Sequence, residues 1–302
     1  MKDAVAAYLT LRHAAGFEMA NAEYRLGSFA RFAAERNETH VRTQTAIDWA
    51  VQVASPAGRD ERLKTVCRFV RHVRSEDDRH ELPPANYFGY RKTRRMPYIY
   101  SSSEIGRLLE AAGRLGPGGT MRAQTYVTLI ALLASTGLRI SEALRLRLAD
   151  ITDDGLLIRA TKFGKTRLVP LHETAAEGLQ RYLTLRRRAR PGDDHVFVDD
   201  DGRPLRYTVA YWMFQKLLKI AGIGTTHNGH RPRLHELRHT FAVRALEVSP
   251  EGRDRVGRHM LALATYMGHV NINATYWYLE ATPELLHDIA VAAEGFLTGE
   301  QK

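Results

Sequence analysis

The feature that most constrains this chain is the stretch from Leu234 to Glu280, where two helical patterns follow one another. The first predicts an amphipathic helix whose apolar face meets a core. Its apolar members are Leu234, Leu237, Phe241, Ala245 and Val248. Three polar side chains on a neighbouring face are three and four residues apart, so they should lie side by side. They are His235, Arg238 and His239.

The second pattern predicts another helix, and Gly268 is suited to end it. Its apolar members are Val256, Met260, Leu263, Ala264 and Met267. His269 follows the glycine directly, and an aromatic run over residues 276–278 closes the stretch. Imidazoles, a guanidinium and a phenol gathered on short helices suit chemistry on a phosphate group.

The charge balance favours a polyanionic partner. The chain has 302 residues, of which 44 are Lys or Arg and 34 are Asp or Glu, giving a net charge of +10. The excess is shared by both halves of the chain, so it is not the property of a tail. Such a balance attracts nucleic acid or an acidic membrane surface. The sequence offers no basic amphipathic membrane anchor, which favours nucleic acid as the partner.

Other features of the composition exclude several classes of protein. The single cysteine, Cys67, excludes an intramolecular disulfide and a cysteine-based zinc site. The N-terminus lacks the apolar core of a signal peptide, and the apolar run over residues 127–134 is too short to cross a bilayer. His227 and His230 lack further ligands at metal-binding spacing. We therefore expect a cytoplasmic protein that binds no metal.

Helical periodicity and its interruption predict two domains. Residues 3–36 and 44–74 are helical, whereas prolines and clustered charge follow residue 82. We predict a helical DNA-binding domain over residues 1–96 and a second domain over residues 97–302. The helix within residues 44–74 has a basic face, and the linker carries further cations. Both sets of cations are either solvated or lie along DNA phosphates. The linker cations are Arg91, Lys92, Arg94 and Arg95.

The second domain is predicted to be mostly helical with a small antiparallel sheet. A strongly apolar helix over residues 121–135 should be its buried centre, and further helices are expected over 173–190 and 207–221. Three short strands are expected at residues 156–158, 168–169 and 195–198, the first two joined as a hairpin. The predicted fold class is therefore mainly α, with two domains.

Four motifs resemble those of the tyrosine recombinases, the phage integrase family. TGLRISE surrounds Arg139, KFGKTRLVPL begins at Lys162, RLHELRHTFA surrounds Arg238, and MGH ends at His269, nine residues before Tyr278. Each motif alone is a weak signal, but four in this order are specific. The resemblance covers residues 97–282 closely and implies the two-domain recombinase architecture, in which residues 97–302 are the catalytic domain.

The resemblance also implies how the strand would be cut. Tyr278 would be the nucleophile that holds the cut DNA strand as a 3′-phosphotyrosine ester. Arg139 and Arg238 would clamp the oxygens of the attacked phosphate, with Glu142 orienting the pocket. Tyr276 competes for the nucleophile's role, but it lacks the family's distance from His269. Either arginine could instead form an ordinary surface salt bridge.

Acid–base roles follow from the same resemblance. Lys162 would protonate the departing 5′-oxygen, His235 would help to deprotonate the tyrosine, and His269 would donate to a phosphate oxygen. Lys165 competes with Lys162 at the same hairpin and is otherwise expected to contact DNA. His239 is expected to be structural. A mechanism built from these side chains requires no metal or nucleotide cofactor.

The C-terminal part of the motif region suggests a biological role. The sequences YMGH and TYWYLE are similar to those of transposon-associated members of the family. This similarity implies integration, excision or transposition of a mobile element. The reaction would take place in the bacterial cytoplasm, at the nucleoid. In the family, the segment that corresponds to Thr282 onward commonly docks on a neighbouring protomer of a tetramer on DNA. Alternatively, this segment packs on its own chain. Partner recombinases can also take part. Rival functions are a type IB topoisomerase-like enzyme and a catalytically silent DNA-binding accessory protein.

Overall fold

A computed structural model describes residues 1–91, 96–116, 120–159, 166–189, 192–225, 231–247 and 253–268. The chain divides into two compact units, Met1–Arg95 and Met96–Lys302. Among the helices in these ranges, each is too short or too polar to span a bilayer.

The described part of the first unit is a bundle of helices. They are α1 (Lys2–Ala14), α2 (Ala20–Ala34), α3 (Thr43–Val51) and α4 (Pro56–Val73). The helical stretch expected over residues 3–36 is divided near Gly16, whose φ of 79° is in the left-handed region that favours glycine. Phe29, Trp49 and Phe69 are fully buried between the helices and form the centre of this unit's core.

The second unit is organised around a central buried helix, α6. Its helices are α5 (Ser102–Gly113), α6 (Met121–Thr136), α7 (Ile140–Arg145), α8 (Glu173–Ala189), α9 (Tyr207–Ile220), α10 (His235–Glu247) and α11 (Arg253–Met267). Leu129, Ile130 and Leu133 of α6 are buried, and the helix packs against α5, α8 and α10. The prediction of a mainly helical domain with a buried helix near residues 121–135 is confirmed.

A small antiparallel sheet lies beside these helices. Its strands, in the order β1-β2-β3, are β1 (Ile151–Thr152), β2 (Gly155–Ile158) and β3 (Arg167–Val169), and a 3-10 turn at Leu148–Asp150 precedes β1. In the β2–β3 pair, Leu157 faces Leu168 and Ile158 faces Arg167. The predicted antiparallel pairing of these two segments is confirmed.

The prediction of a third strand at residues 195–198 is wrong, because β1 takes that place in the sheet. His195 and Val198 form only isolated bridges, to Arg147 and Pro204. The reason is that side chains of α8 use the carbonyls of this segment: Tyr182 Oη and Arg186 Nε both donate to Val196 O at 3.1 Å. Since these carbonyls already have partners, the segment is stabilised without strand pairing.

The prediction that the apolar face of α10 meets a core is confirmed for Leu237, Phe241 and Ala245, but the helix is buried on other sides as well. Arg238, His239 and Thr240 are buried, whereas Phe241 and Ala245 are only half-buried. Ala242, Val243 and Leu246, which lie outside the predicted face, also pack in the cluster formed with α11. Val248 lies outside the described residues. A buried charged side chain such as that of Arg238 requires hydrogen-bond partners.

Candidate active site

The turn after α6 directs Arg139. Gly137 ends the helix with a φ of 61°, and a Cβ atom there would lie 2.5 Å from the Phe241 side chain, so conformation and space both favour glycine. Leu138 is buried, and Arg139 precedes the first turn of α7. Its backbone N–H donates to Oε2 of Glu142 at 2.9 Å. The sequence from Gly137 to Glu142 therefore fixes the chain direction at Arg139.

Glu142 lies between two arginines. Arg139 Nη1 donates to its Oε1 at 2.7 Å, and Arg167 donates to Oε1 and Oε2 at 3.1 and 2.8 Å. Only 8% of the Glu142 side chain is exposed. Burial opposes its ionisation, but the hydrogen bonds from Arg167 and Arg139 outweigh burial and lower the pKa of Glu142 to about 2. The carboxylate therefore stays charged at neutral pH.

We expect Glu142→Gln to lower the free energy of unfolding by about 3 kcal/mol, the usual cost of removing one partner of a buried ion pair. The folded-state pKa of about 2 lies below the ordinary 4.5. Stabilisation by the charge is therefore complete above the ordinary value and is lost as the pH falls towards 2. Urea unfolding followed by circular dichroism measures the free energy of unfolding. The difference in this free energy between wild type and variant should be smaller at pH 3 than at pH 7.

Glu110→Gln is the matched control for this measurement. Glu110 forms an exposed pair with Arg114 on α5, and such pairs contribute little to stability. The Glu110→Gln variant should therefore have the wild-type free energy of unfolding at both pH values. If the difference in unfolding free energy between wild type and Glu142→Gln were the same at pH 7 and pH 3, the assigned role of the carboxylate charge would be contradicted.

Arg238 is the buried cation of α10, with 2% of the residue exposed. Its Nη1 donates to Gly137 O and its Nη2 to Met267 O, both at 2.6 Å. Both acceptors are backbone carbonyls, one in the turn before Arg139 and the other in the last turn of α11. The guanidinium therefore joins two of the motifs that are far apart in the sequence.

Three guanidiniums meet at the C-terminal end of α11. Their acceptors are three consecutive carbonyls, and this end of a helix carries partial negative charge and carbonyls without partners in the helix. Arg167 Nε donates to Tyr266 O at 2.8 Å, Arg238 Nη2 to Met267 O at 2.6 Å, and Arg139 Nη2 to Gly268 O at 3.2 Å. The first, second and third motifs thus converge on the residues that directly precede His269.

The comparison with family models agrees with this geometry. The model of the phage integrase family matches residues 100–284. The chain belongs to the phage integrase family. It is 36% identical over 297 residues to y4rB of Sinorhizobium fredii, which is named an integrase/recombinase, and this match covers 95% of each chain. The family predicted from the four motifs is therefore confirmed.

Solved structures of other recombinases have the same fold. The XerH site-specific recombinase, in a post-cleavage complex with palindromic difH substrate, matches with a TM-score of 0.66 and 20% identity over 91% of this chain and 79% of that one. The Tn1549 transposon integrase, in complex with transposon right end DNA, matches with a TM-score of 0.63 and 19% identity over 95% of this chain and 99% of that one. At these identities the likeness establishes the fold.

His235 begins α10 near the charges of Arg238, Arg233 and Arg139. Its ring lies edge-on to that of His239, with 4.7 Å between the ring centroids. Burial, followed by the nearby charges of Arg238, Arg233 and Arg139, lowers the pKa of His235 to about 4. The imidazole is therefore neutral at neutral pH and can accept a proton or a hydrogen bond.

We expect the ring-proton NMR resonances of His235 to titrate with a midpoint near 4, well below the ordinary value near 6.5. Since the folded state favours the neutral ring, protonation should destabilise the protein as the pH falls below the ordinary value. His235→Gln assigns the resonance by its loss. A His235 midpoint at or above 6 would contradict the lowered pKa of this ring.

Several predicted functional residues lie outside the described residues. Of the linker cations, Arg91 is described, and it is exposed. The structure therefore places Arg139, Glu142, His235 and Arg238 together, and the functional roles of all the predicted site residues stay predictions. The predicted residues outside the described ranges are Lys92, Arg94, Arg95, Lys162, Lys165, His269, Tyr276 and Tyr278, and His227 and His230, for which no site is predicted, lie outside these ranges as well.

Sequence reasoning assigned no role to Arg167, although the strand pattern contained a signal. In β3, Arg167 and Val169 are on the same face because side chains alternate along a strand. Val169 is buried, and Leu168 on the other face is substantially exposed. An arginine on the core-facing side of a short strand requires polar partners, and here these are Glu142 and Tyr266 O.

A second contact that sequence reasoning missed connects the start of this unit to α10. The backbone N–H of Tyr100 donates to Thr240 Oγ1 at 2.9 Å, and Arg244 Nη2 donates to Tyr100 O at 2.8 Å. Ile99 packs against the cluster formed by α10 and α11. These contacts tie α10 to the segment that precedes α5.

Two clusters among the described residues bring potential metal ligands together, His40–Asp77–His80 and Asp193–Asp194–His195. In the first, His80 Nδ1 accepts the backbone N–H of Val41, and Asp77 accepts from Arg79. In the second, Arg147 binds Asp194 through both carboxylate oxygens. Because protein donors already engage these ligand atoms, both clusters are accounted for as hydrogen-bond networks.

The basic face of α4 is partly engaged within the first unit. Arg62 donates to Trp49 O at 2.9 Å and lies over the Trp49 ring. Lys64 pairs with Asp60, and Arg68 pairs with Glu61. Intramolecular pairing reduces the positive charge that this helix can offer to a phosphate backbone.

Proposed function

We propose that this tyrosine-type recombinase cuts and rejoins double-stranded DNA at specific sites through a covalent 3′-phosphotyrosine at Tyr278. The observation that supports this most directly is the convergence of Arg139 and Arg238 on the consecutive carbonyls of Gly268 and Met267. The two cations expected to bind one phosphate come together although they are far apart in the sequence. They do so at the chain position from which the histidine and tyrosine of the last motif continue.

The arginines would supply fixed positive charge to the reacting phosphate. A guanidinium has five N–H donors, of which the contacts to Glu142 and Gly268 use two in Arg139. The Arg139 side chain is 30% exposed, so a phosphate can approach it. Held by protein acceptors before DNA arrives, both cations are preorganised for the negative charge that develops on the phosphate oxygens.

Strand cleavage then needs only side chains. The phenolic oxygen of Tyr278 attacks the phosphorus atom, a new P–O bond forms, and the bond to the 5′-oxygen of the next nucleotide breaks. Lys162 gives its proton to that oxygen, while the neutral His235 helps to accept the phenol proton. His269 donates to a non-bridging oxygen. Attack by a 5′-hydroxyl on the phosphotyrosine reverses these steps and joins the strand without a metal or nucleotide.

Recognition of DNA is assigned to the first unit, the linker and the hairpin. We propose that residues 1–96 bind the duplex, while Arg91, Lys92, Arg94, Arg95 and Lys165 contact phosphates. The net charge of +10 supports such a partner. XerH and the Tn1549 integrase, which share this fold, are bound to DNA in their solved structures, and this supports DNA as the partner.

The biological reaction we propose is integration, excision or transposition of a mobile element. The transposon integrase among the similar structures supports this assignment. Strand exchange between two duplexes would require a tetramer on DNA, held together through the segment after Thr282, with partner recombinases as further components. The reaction would take place in the bacterial cytoplasm at the nucleoid.

Covalent trapping tests the proposed chemistry without knowledge of the target site. A library of duplexes with random inserts is lightly nicked, incubated with the protein and denatured in detergent, and protein-linked DNA is recovered on a filter and sequenced. A nick beside the cleavage point releases a short 5′-hydroxyl fragment, so the adduct cannot reverse. We expect one enriched sequence, linked to protein through a 3′-phosphate.

A supercoiled plasmid that lacks the enriched sequence distinguishes the closest rival. Efficient relaxation of that plasmid would favour a type IB topoisomerase-like enzyme, because such an activity needs no specific site. DNA binding without any adduct would favour the silent accessory protein. Site-dependent adduct formation with little relaxation supports the proposed recombinase.

A further inference from the structure

Arg167 takes no part in the chemical steps described above, yet it makes contacts with two of the elements that carry them. We propose that Arg167 is a positioning residue: its guanidinium holds the turn that carries Arg139 and the end of α11 in one fixed relation. This inference rests on the proposed function, because it adds a residue to the same site.

The geometry of the guanidinium supports this role. Nη1 and Nη2 donate to the two oxygens of Glu142 at 3.1 and 2.8 Å, while Nε donates to Tyr266 O at 2.8 Å. The side chain is only 11% exposed. Because the guanidinium is planar and rigid, its three donors fix the carboxylate and the carbonyl relative to each other.

Close packing at Gly268 provides a second observation. Gly268 has a φ of 66°, and a Cβ atom there would lie 3.0 Å from Nη1 of Arg167. The guanidinium therefore lies directly against the backbone at the end of α11, where a side chain would displace it. The glycine of the MGH motif thus both ends the helix and leaves room for Arg167.

The effect of Arg167 on the reaction would pass through Glu142. Glu142 accepts from both Arg139 and Arg167, so the carboxylate transmits the position of one guanidinium to the other. Without Arg167, Glu142 keeps Arg139 as its side-chain partner but loses its connection to α11. Arg139 would then be connected to the end of α11 only by its own hydrogen bond to Gly268 O at 3.2 Å, and the second connection through Glu142 would be lost.

Arg167→Met removes these contacts, and Arg147→Gln is the matched control. Arg147 pairs with Asp194 through a half-exposed side chain in the same unit. On the nicked duplex enriched by trapping, we expect Arg167→Met to form the adduct about 100-fold more slowly, the scale of a 1 Å misplacement. Its Kd for the intact duplex, measured by fluorescence anisotropy, should change less than about threefold, while Arg147→Gln leaves both values unchanged.

Arg167→Lys provides a variant with smaller disturbance. A lysine nitrogen keeps the charge but cannot serve the carboxylate and the carbonyl in the same fixed geometry, so we expect about a tenfold slower adduct formation. All rates are measured at least ten degrees below the unfolding midpoint of each variant, determined by circular dichroism. A loss of folded protein is thereby separated from a loss of alignment.

The pH profile separates positioning from general support of the fold. The hydrogen bond from Arg167 helps to keep the pKa of Glu142 low, so without it the carboxyl should protonate at a higher pH. The adduct rate of Arg167→Met should therefore fall more steeply than that of the wild type from pH 7 to pH 5. Adding Glu142→Gln should remove this extra acid dependence.

Three results would overturn the positioning role: a wild-type rate for Arg167→Met, an equal loss of DNA affinity, or a rate loss that is the same at every pH. In each case a wild-type adduct through Tyr278 would leave the proposed function intact. Absence of any adduct with the wild-type protein would remove the proposed function and this inference together.

Discussion

Tyr278→Phe should abolish covalent attachment of the protein to the enriched nicked duplex. Phenylalanine keeps the ring but lacks the oxygen that would attack phosphorus, and loss of a nucleophile reduces rates by about 10⁴-fold or more. Binding of the duplex should be nearly unchanged, because one hydroxyl contributes little to an interface dominated by phosphate contacts. Adduct formation is read by gel mobility after denaturation, and affinity by fluorescence anisotropy.

Tyr276→Phe is the matched control for the nucleophile. The two tyrosines are two residues apart, so they cannot both point into one pocket from a helix. Adduct formation by Tyr276→Phe at the wild-type rate would agree with the assignment. An adduct that persists in Tyr278→Phe and disappears in Tyr276→Phe would transfer the nucleophile's role to Tyr276.

The sequence predicted those parts of the site that depend on local pattern. The apolar run of α6, the glycine after it and the spacing of Arg139 and Glu142 are short-range features, and each is found where the pattern indicated. The pairing of β2 with β3 is likewise local, because the two strands are consecutive in the chain. That Arg238 joins the same site was inferred from the family resemblance rather than from periodicity.

The features that the sequence did not reveal depend on long-range contacts. Residues 195–198 have the composition of a strand, but Arg186 and Tyr182 of α8 bind their carbonyls, which no local pattern indicates. The burial of Arg238 depends on the carbonyls of Gly137 and Met267, which are respectively 101 and 29 residues away in the chain. Burial of a charged side chain is favourable only where such partners bind it, and here they come from distant segments.

Arg238→Lys should reduce the rate of adduct formation by roughly a thousandfold, at the upper end for loss of one preorganised donor group. The two nitrogens of Arg238 each reach a different carbonyl at 2.6 Å, and a single lysine nitrogen cannot replace both. The variant should also be less stable, because a buried carbonyl left without a donor costs about 1–3 kcal/mol. Single-turnover trapping measures the rate, and urea unfolding measures the stability.

Arg244→Lys separates catalysis from the stability of α10. Arg244 is on the same helix and donates to Tyr100 O at 2.8 Å, but it has no contact with Glu142 or with the end of α11 among the hydrogen bonds between described residues. Its replacement should cost about 1 kcal/mol, the usual contribution of one hydrogen bond, and leave the adduct rate close to that of the wild type. If Arg244→Lys slowed adduct formation as much as Arg238→Lys, the loss would reflect a displaced helix. A large loss confined to Arg238→Lys instead shows that the reaction needs this guanidinium for more than keeping α10 in place.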